Sequence, residues 1–354
     1  MRTTGWCRRH GLTTLLCVSL ALLLSGCGGS SDQSSPEPKS TALASQQTAD
    51  SSKADKPAPK RRARADARKG VTALAVSPDG TSIGATNSDG RVRVLEASDG
   101  RDKKLLKAQG TAAAVGLIFS PDGRYLVSVG RDSVAQSWNV ETGASRFTLR
   151  GHEHPLRSVA ASADGSVIAT AGEETRVMVW DGTTGRLKRI LSGHTDFVNS
   201  LSVSPDGRLL ASGDADARIL VWDVSTGRLL HTLRGHADEL NAVVFSVDGK
   251  LLASAGEDGK VILWDTAVGR QVNALAGHPA PVRSLAFNQG GGLLAAGTTN
   301  GRVLVWDMAT RTVTREFQAS NSVVNAVAFG GNKLFAGTEE ELVRSWGGFR
   351  NGTQ

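Results

Sequence analysis

The tryptophans of this 354-residue chain fall at regular intervals. From Trp138 they recur at Trp180, Trp222, Trp264, Trp306 and Trp346, in steps of 42, 42, 42, 42 and 40 residues. One step earlier, Arg91-Val92-Arg93-Val94-Leu95 has the same shape, with Leu95 in the tryptophan place. A second ladder runs in phase: Ser77-Pro78-Asp79-Gly80, then Ser120, Ser162, Ser204 and Ser246 with the same Asp-Gly ending, degrading at Asn288 and Gly330. Two ladders in register define seven copies of a unit of about 40 residues, the period of stacked repeat architectures. Within a copy such as Gly235 to Asp265, short apolar runs alternate with polar residues and break at Asp-Gly or Gly-Asp turns. That is the pattern of short half-buried strands joined by tight turns.

A copy that opens on Gly-His and closes on Trp-Asp resembles the WD40-repeat family. The resemblance covers nearly everything from Val71 to Trp346. It implies an all-β fold, a seven-bladed β-propeller of four-stranded antiparallel blades, over residues 71–354. In the fifth copy it implies strands at 240–245, 251–255, 261–264 and 271–276. It also implies a buried hydrogen-bonded tetrad, complete in two copies: His194, Ser212, Asp216, Trp222 and His236, Ser254, Asp258, Trp264. Other copies depart from it. His152 meets Thr170 and Trp180 with Glu174 for the aspartate, His278 meets Ala296 and Asn300, and Gly110 replaces the histidine before Ser128, Asp132 and Trp138. A Ser, His and Asp set invites a hydrolase reading. A set repeated at fixed spacing with a tryptophan attached is instead scaffold, because catalysis needs one accessible nucleophile beside an oxyanion site. The sequence supplies no catalytic constellation, metal-ligand spacing or cofactor motif, and the reading is of a non-enzyme.

The first residues do not belong to the fold. Arg2, Arg8 and Arg9 precede an apolar run over 12–24, too short to span a bilayer comfortably, where about 20 residues are needed. Residues 1–26 therefore read as a secretory signal. Leu24-Ser25-Gly26-Cys27 resembles a bacterial lipobox, which implies a diacylglyceryl group (palmitate-type chains) on Cys27 and a lipoprotein anchored in the membrane. The chain has three cysteines, and Cys7 and Cys17 leave with the signal. Lipidation accounts for the odd thiol that remains. Two or three acyl chains make a lasting anchor where one holds only marginally. Residues 27–59 are Ser, Ala, Pro and charge with one large aliphatic, Leu43, a disordered tether. Gly28 after the lipidated cysteine favours, by the same resemblance, the outer membrane facing the periplasm.

Charge narrows the partners. The net charge is +7, from 41 basic and 34 acidic residues. The signal holds three of the basic residues, residues 28–69 hold nine against five acidic, and from residue 70 onward the two signs balance. The basic excess is therefore a leader and a short segment, residues 60–70, not a surface of the fold. That argues against nucleic acid as partner. The segment reads as solvated linker or as a contact to anionic headgroups. It is also a candidate to close the ring: after Trp346 too few residues remain for a full outer strand, and 60–65 would supply it. Arg64 falls where other copies have Leu or Phe, so a three-stranded last blade or closure by 40–45 stays open.

By the family resemblance, a partner would meet the face that carries the Gly-His loops and second-to-third-strand turns. The matching positions beside the histidines are Arg157, Phe197, Asn199, Glu239, Asn241, Arg283 and Asn325. Those beside the turn aspartates are Arg131, Glu173, Glu257 and Glu339. Their signs are mixed, which suits a polar peptide or protein loop better than a polyanion. The sequence thus reads as a lipid-anchored, monomeric interaction scaffold of the bacterial envelope, with one or more envelope proteins as partner. The alternative is a glycan- or peptide-binding or enzymatic propeller of the periplasm.

Overall fold

The structure, a computed structural model, describes residues 70–106, 112–276, 280–340 and 343–349. Its 27 strands form seven antiparallel sheets, each built from consecutive strands. Six sheets have four strands and the seventh has three among the described residues. The inner strands of blades 1 to 7 are Val71–Val76, Ala114–Phe119, Leu156–Ala161, Val198–Val203, Leu240–Phe245, Val282–Phe287 and Val324–Gly330. Each packs beside the next, and the seventh returns to the first. The expected all-β, seven-bladed propeller is the fold. In blade 5 the observed strands are Leu240–Phe245, Leu251–Gly256, Val261–Asp265 and Arg270–Leu275, within one residue of expectation.

Alternation holds less widely than the sequence suggests. The second and third strands are buried on both faces, as in Leu251–Gly256 and Val261–Asp265. Each blade is pressed between two others, so these strands need continuous apolar runs rather than one wet face. One such interface joins Ile219 and Val221 of blade 4 to Leu240, Phe245, Leu252 and Trp264 of blade 5. Each fully buried aliphatic there contributes roughly 1.5–3 kcal/mol.

The second ladder is a turn mechanism. Ser246 Oγ donates to Asp248 at 2.6 Å and accepts from the Leu251 N–H at 2.9 Å. Asp248 also accepts from the Lys250 N–H at 3.1 Å, and Gly249 takes a φ of 70° that a side chain would resist. The Ser246 bond, seconded by that N–H, holds the Asp248 carboxyl below its ordinary range.

Neighbouring blades are also clasped at their rims, a feature the sequence reading did not find. Lys104 donates to the Glu141 carbonyl, Arg146 to that of Thr183 at 2.8 Å, and Arg189 to that of Ser225. In each case an outer-strand cation reaches the third-to-fourth-strand turn of the next blade. Arg315 repeats the move on the Gly348 carbonyl at 3.2 Å.

The ring closes between blades 7 and 1. Ala326, Phe335 and Val343 share a core with Val71, Leu74, Ile83 and Leu95. Asn325 Nδ2 donates to the Val71 carbonyl at 2.8 Å, and Lys333 Nζ to that of Ala97 at 2.9 Å. The tail after Trp346 adds a contact the sequence reading missed. Phe349 is buried, its ring edge-on to Phe317 and Phe329, under the Arg315 guanidinium. Its N–H donates to the Asn332 carbonyl at 3.1 Å, repeating the bond that Met308 makes to Gly292 in blade 6. Residues 1–69, with Cys27, the tether, the 40–45 alternative and the basic segment, lie outside the described residues, as do Gly110 and His278.

Candidate interaction face

The tetrads fix the face. In blade 5, Trp264 Nε1–H donates to Ser254 Oγ at 2.7 Å, Ser254 to His236 Nε2 at 2.8 Å, and His236 Nδ1–H to Asp258 at 3.0 Å. The set runs from the third strand, through the second, to the Gly-His loop and the turn beside it, so it locks that loop to the blade. Each buried polar atom finds a partner, where an unmade bond would cost about 1–3 kcal/mol. Burial lowers the pKa of His236 against the opposing pull of Asp258, and that of His152 against Glu174. In blade 3 the expected substitution holds, with Glu174 meeting His152 Nδ1, Thr170 meeting Nε2 at 2.7 Å, and Trp180 donating to Thr170 at 2.8 Å.

Blade 4 departs from expectation. His194, Ser212 and Trp222 stand as expected, but the carboxylate at His194 Nδ1 is Asp214, at 2.7 Å, and not Asp216. Asp214 occupies the place of Gly256 in blade 5, two residues before the turn aspartate. Its fully buried side chain accepts from His194, from the Arg218 N–H at 2.9 Å, and from Arg218 Nε at 3.1 Å. Burial alone would raise its pKa, but the His194 bond and Arg218 outweigh that and hold it low. Asp216, displaced to the surface, accepts from Thr195. In blade 2 Trp138 keeps the tetrad bond, donating to Ser128 at 2.9 Å, whereas in blade 6 Trp306 donates to the Ala276 carbonyl at 2.9 Å, since Ala296 has no hydroxyl.

The second residue of each inner strand stands at the mouth of the central channel. Those residues are Thr72, Val115, Arg157, Asn199, Asn241, Arg283 and Asn325, and they line a cavity of about 490 Å³ with the strands below. Asn199 Nδ2 donates to the Leu240 carbonyl and Asn241 Nδ2 to that of Val282, both at 3.0 Å. Thr72 and Asn325 make the same reach to the next blade. One residue deeper, the hydroxyls of Ser158, Ser200 and Ser284 each accept a backbone N–H of the following inner strand at 3.0 Å. The sequence reading missed Thr72 and these serines, although their spacing of about 42 residues marks them.

Two groups of expected face residues come together. Arg157 bonds Glu173 and Asn199, both at 3.1 Å, across blades 3 and 4, and lies over the Phe197 ring at 5.5 Å. Arg283 meets Glu257 at 3.0 Å and Asn241 at 3.2 Å across blades 5 and 6, and Asn241 meets Glu257 at 2.9 Å. The remaining four join neither group. Arg131 and Glu239 are exposed, Glu339 accepts from Ser322 at 2.8 Å, and Asn325 serves the ring closure. Glu173 and Glu257 each have a guanidinium partner, an arrangement suited to a rigid polar surface. Among the described residues, no three His, Cys, Asp or Glu side chains gather as a metal site would require.

Fold and repeat together define a propeller whose blades are copies of one sequence unit. The WD domain, G-beta repeat family matches residues 63–95, 103–139, 143–181, 185–223, 227–265 and 269–307, and the chain belongs to it. Blade 7 lies beyond these matches, with Gly347 where blades 3 to 6 end on Trp-Asp. The chain is 37% identical over 89 residues to the meiotic recombination protein rec14 of Schizosaccharomyces pombe (strain 972 / ATCC 24843). That stretch is 25% of this chain and 28% of the relative's length. WD-repeat propellers are in general protein–protein interaction scaffolds.

Proposed function

We propose that this protein is a lipid-anchored scaffold of the bacterial cell envelope, held at the outer membrane through Cys27, that docks partner proteins on its Gly-His loop face. The observation that carries the docking face is the pair of inter-blade groups, Arg157–Glu173–Asn199 and Glu257–Asn241–Arg283. They make the mouth one continuous surface whose side chains are already positioned, so little ordering entropy opposes binding. The lipid anchor rests on the sequence around Cys27.

Crosslinking in intact cells, then affinity purification and mass spectrometry, tests the docking face. A discrete set of envelope proteins is expected with the unmodified chain and is lost in a Phe197→Ala, Arg157→Glu double variant. The same set recovered with both chains excludes this face. For the anchor, a clickable palmitate analogue labels the chain, and Cys27→Ser abolishes the label and releases the protein to the soluble periplasmic fraction. Label retained in the serine variant refutes lipidation at that residue.

The polar channel favours a second reading, a small glycan or peptide ligand, because its wall of Ser, Asn and Arg suits a hydrophilic guest. An Asn199→Leu, Ser200→Ala variant that loses glycan binding but keeps its protein partners would favour that reading over docking.

A further inference from the structure

One aromatic side chain stands out on the docking face. Phe197, between the blade 3 outer strand Leu187–Ser192 and the blade 4 inner strand, leaves 42% of its surface in solvent. Its backbone is fixed from both sides: its N–H bonds the Asp196 carboxylate at 2.7 Å, and its carbonyl accepts the Ala215 N–H at 3.0 Å. Arg157 covers one side of the ring and is itself held by Glu173 and Asn199. An exposed aromatic on an ordered loop has the character of a binding hot spot, since a partner meets it without freezing a mobile chain.

The charges around it set the chemistry of that partner. The nearby guanidinium groups of blades 3 and 4 are committed, Arg157 to Glu173, Arg176 to Glu174 at 2.7 Å, and Arg218 to Asp214 at 2.8 Å. Three further carboxylates remain in excess: Asp196, Glu153 with 72% of its side chain exposed, and Asp216 with 47%. Glu153 and Asp216 reach the same arginines only at 3.3 and 3.8 Å, and Asp216 also accepts from the neutral Thr195 hydroxyl. Adjoining blade 5 adds exposed Asp238 and Glu239 against one exposed cation, Lys260, at the register position of Arg176 and Arg218. The apolar centre is therefore flanked by net negative charge, although the propeller as a whole is neutral.

We propose that Phe197 receives a cationic peptide segment of a partner protein. An apolar side chain packs on the open side of the ring, with Lys or Arg on either side facing Glu153, Asp196 and Asp216. This inference rests on the scaffold reading and narrows it to one spot and one charge. An acidic segment would meet repulsion here, and a neutral glycan would stack on the ring without sensitivity to salt.

Fluorescence anisotropy with the purified full-length chain tests the inference. The probes are a dye-labelled peptide with a central Leu between flanking Lys residues and the same peptide with Glu for Lys. The Lys peptide should bind at least tenfold more tightly than the Glu peptide and weaken several-fold from low to physiological salt. Phe197→Ala should cost it about tenfold, and a Glu153→Lys, Asp216→Lys double variant should reverse the preference between the peptides. Equal binding of both peptides, or unchanged binding by Phe197→Ala, overturns the proposal. A photocrosslinking residue at position 197 or 241 in cells separates the two levels. A discrete protein adduct without charge preference in the peptides leaves the scaffold standing and removes the cationic partner. No protein adduct at either position removes the scaffold reading and this inference with it.

Discussion

Asp214 and Asp216 lie two residues apart, and the structure gives them opposite standing. Asp214 is fully buried and accepts from His194 at 2.7 Å and from three groups of Arg218. Asp214→Ala would leave the His194 Nδ1–H without its acceptor and the Arg218 charge without its buried partner. Breaking a buried pair by removing one member costs about 3–5 kcal/mol. Asp216 is half exposed and its bond to Thr195 lies at the surface, so Asp216→Ala should stay within about 0.5 kcal/mol. For a domain of this size, each kcal/mol shifts the melting temperature by about 2–4 °C. The Asp214 variant should therefore melt roughly 6–20 °C lower and the Asp216 variant within about 2 °C of the parent. Thermal unfolding followed by tryptophan fluorescence on residues 28–354 reads both, and Trp222, bonded to Ser212 in the same tetrad, reports on the affected blade. Equal shifts, or a larger loss at Asp216, would refute the assignment of the tetrad carboxylate and the blade 4 register built on it.

Stability should fall with acid before the carboxylates titrate. His152 and His236 have folded-state pKa values pushed below the ordinary 6.5 by burial, so below about pH 6.5 the unfolded chain binds more protons and folding loses ground. Urea midpoints should drop between pH 7 and 5.5, and replacing both histidines by Asn should flatten that slope; an unaltered slope counts against the tetrads as its origin. Phe349→Ala should cost about 3–5 kcal/mol, the usual loss for emptying a buried aromatic site, and a loss under about 1 kcal/mol would show that the tail does not anchor blade 7. Gly256→Ala should destabilise by more than about 1 kcal/mol, because its added carbon would come within 2.2 Å of the Glu239 carbonyl oxygen; a neutral result would contradict the tight seat of that turn.

The fold was legible because two ladders carry it independently, one through Trp and one through the Ser-to-Asp turn bond. The Trp ladder alone would have left blade 1 open, and the turn ladder alone blade 7. The face was legible in part. The 42-residue step put Arg157, Asn199, Asn241 and Arg283 at one register position, and the structure adds that Arg157 meets Asn199 and Asn241 meets Arg283. The carboxylate partners do not follow one common step. Arg157 turns to Glu173 of its own blade, whereas Arg283 reaches back to Glu257 of the blade before. That choice follows from which blade carries the carboxylate, since the place of Glu173 and Glu257 is held by Arg131 in blade 2 and by Thr299 in blade 6. In blade 4 the spacing pointed to Asp216, and what marked Asp214 was only that blade 5 places Gly256 there. Phe349 was missed because it follows the last Trp by three residues instead of two. Gly348, at a φ of 88°, absorbs the extra step.

The closing strand is where repeat phase and blade phase part. The family matches from 103 to 307 each begin near the outer strand of one blade and end with the third strand of the next. The match at 63–95 ends on the third strand of blade 1, so in the same sequence phase its start corresponds to an outer strand ahead of that blade. In a ring, such a strand belongs to blade 7, whose third strand Val343–Gly347 is the last of its described sheet. We propose that residues 60–65, rather than 40–45, supply it; both segments lie outside the described residues. The aromatic cluster of Phe317, Trp346 and Phe349 works in the same direction from the other end, since it seats blade 7 against blade 6 whatever the closing strand does. We therefore expect Arg62→Pro, which removes a backbone donor and fixes φ within the proposed strand, to lower the melting temperature by several degrees without unfolding the ring. The matched change Thr41→Pro should leave it unaltered. A loss in the Thr41 variant alone would move closure to the upstream segment, and no loss in either would leave blade 7 with three strands.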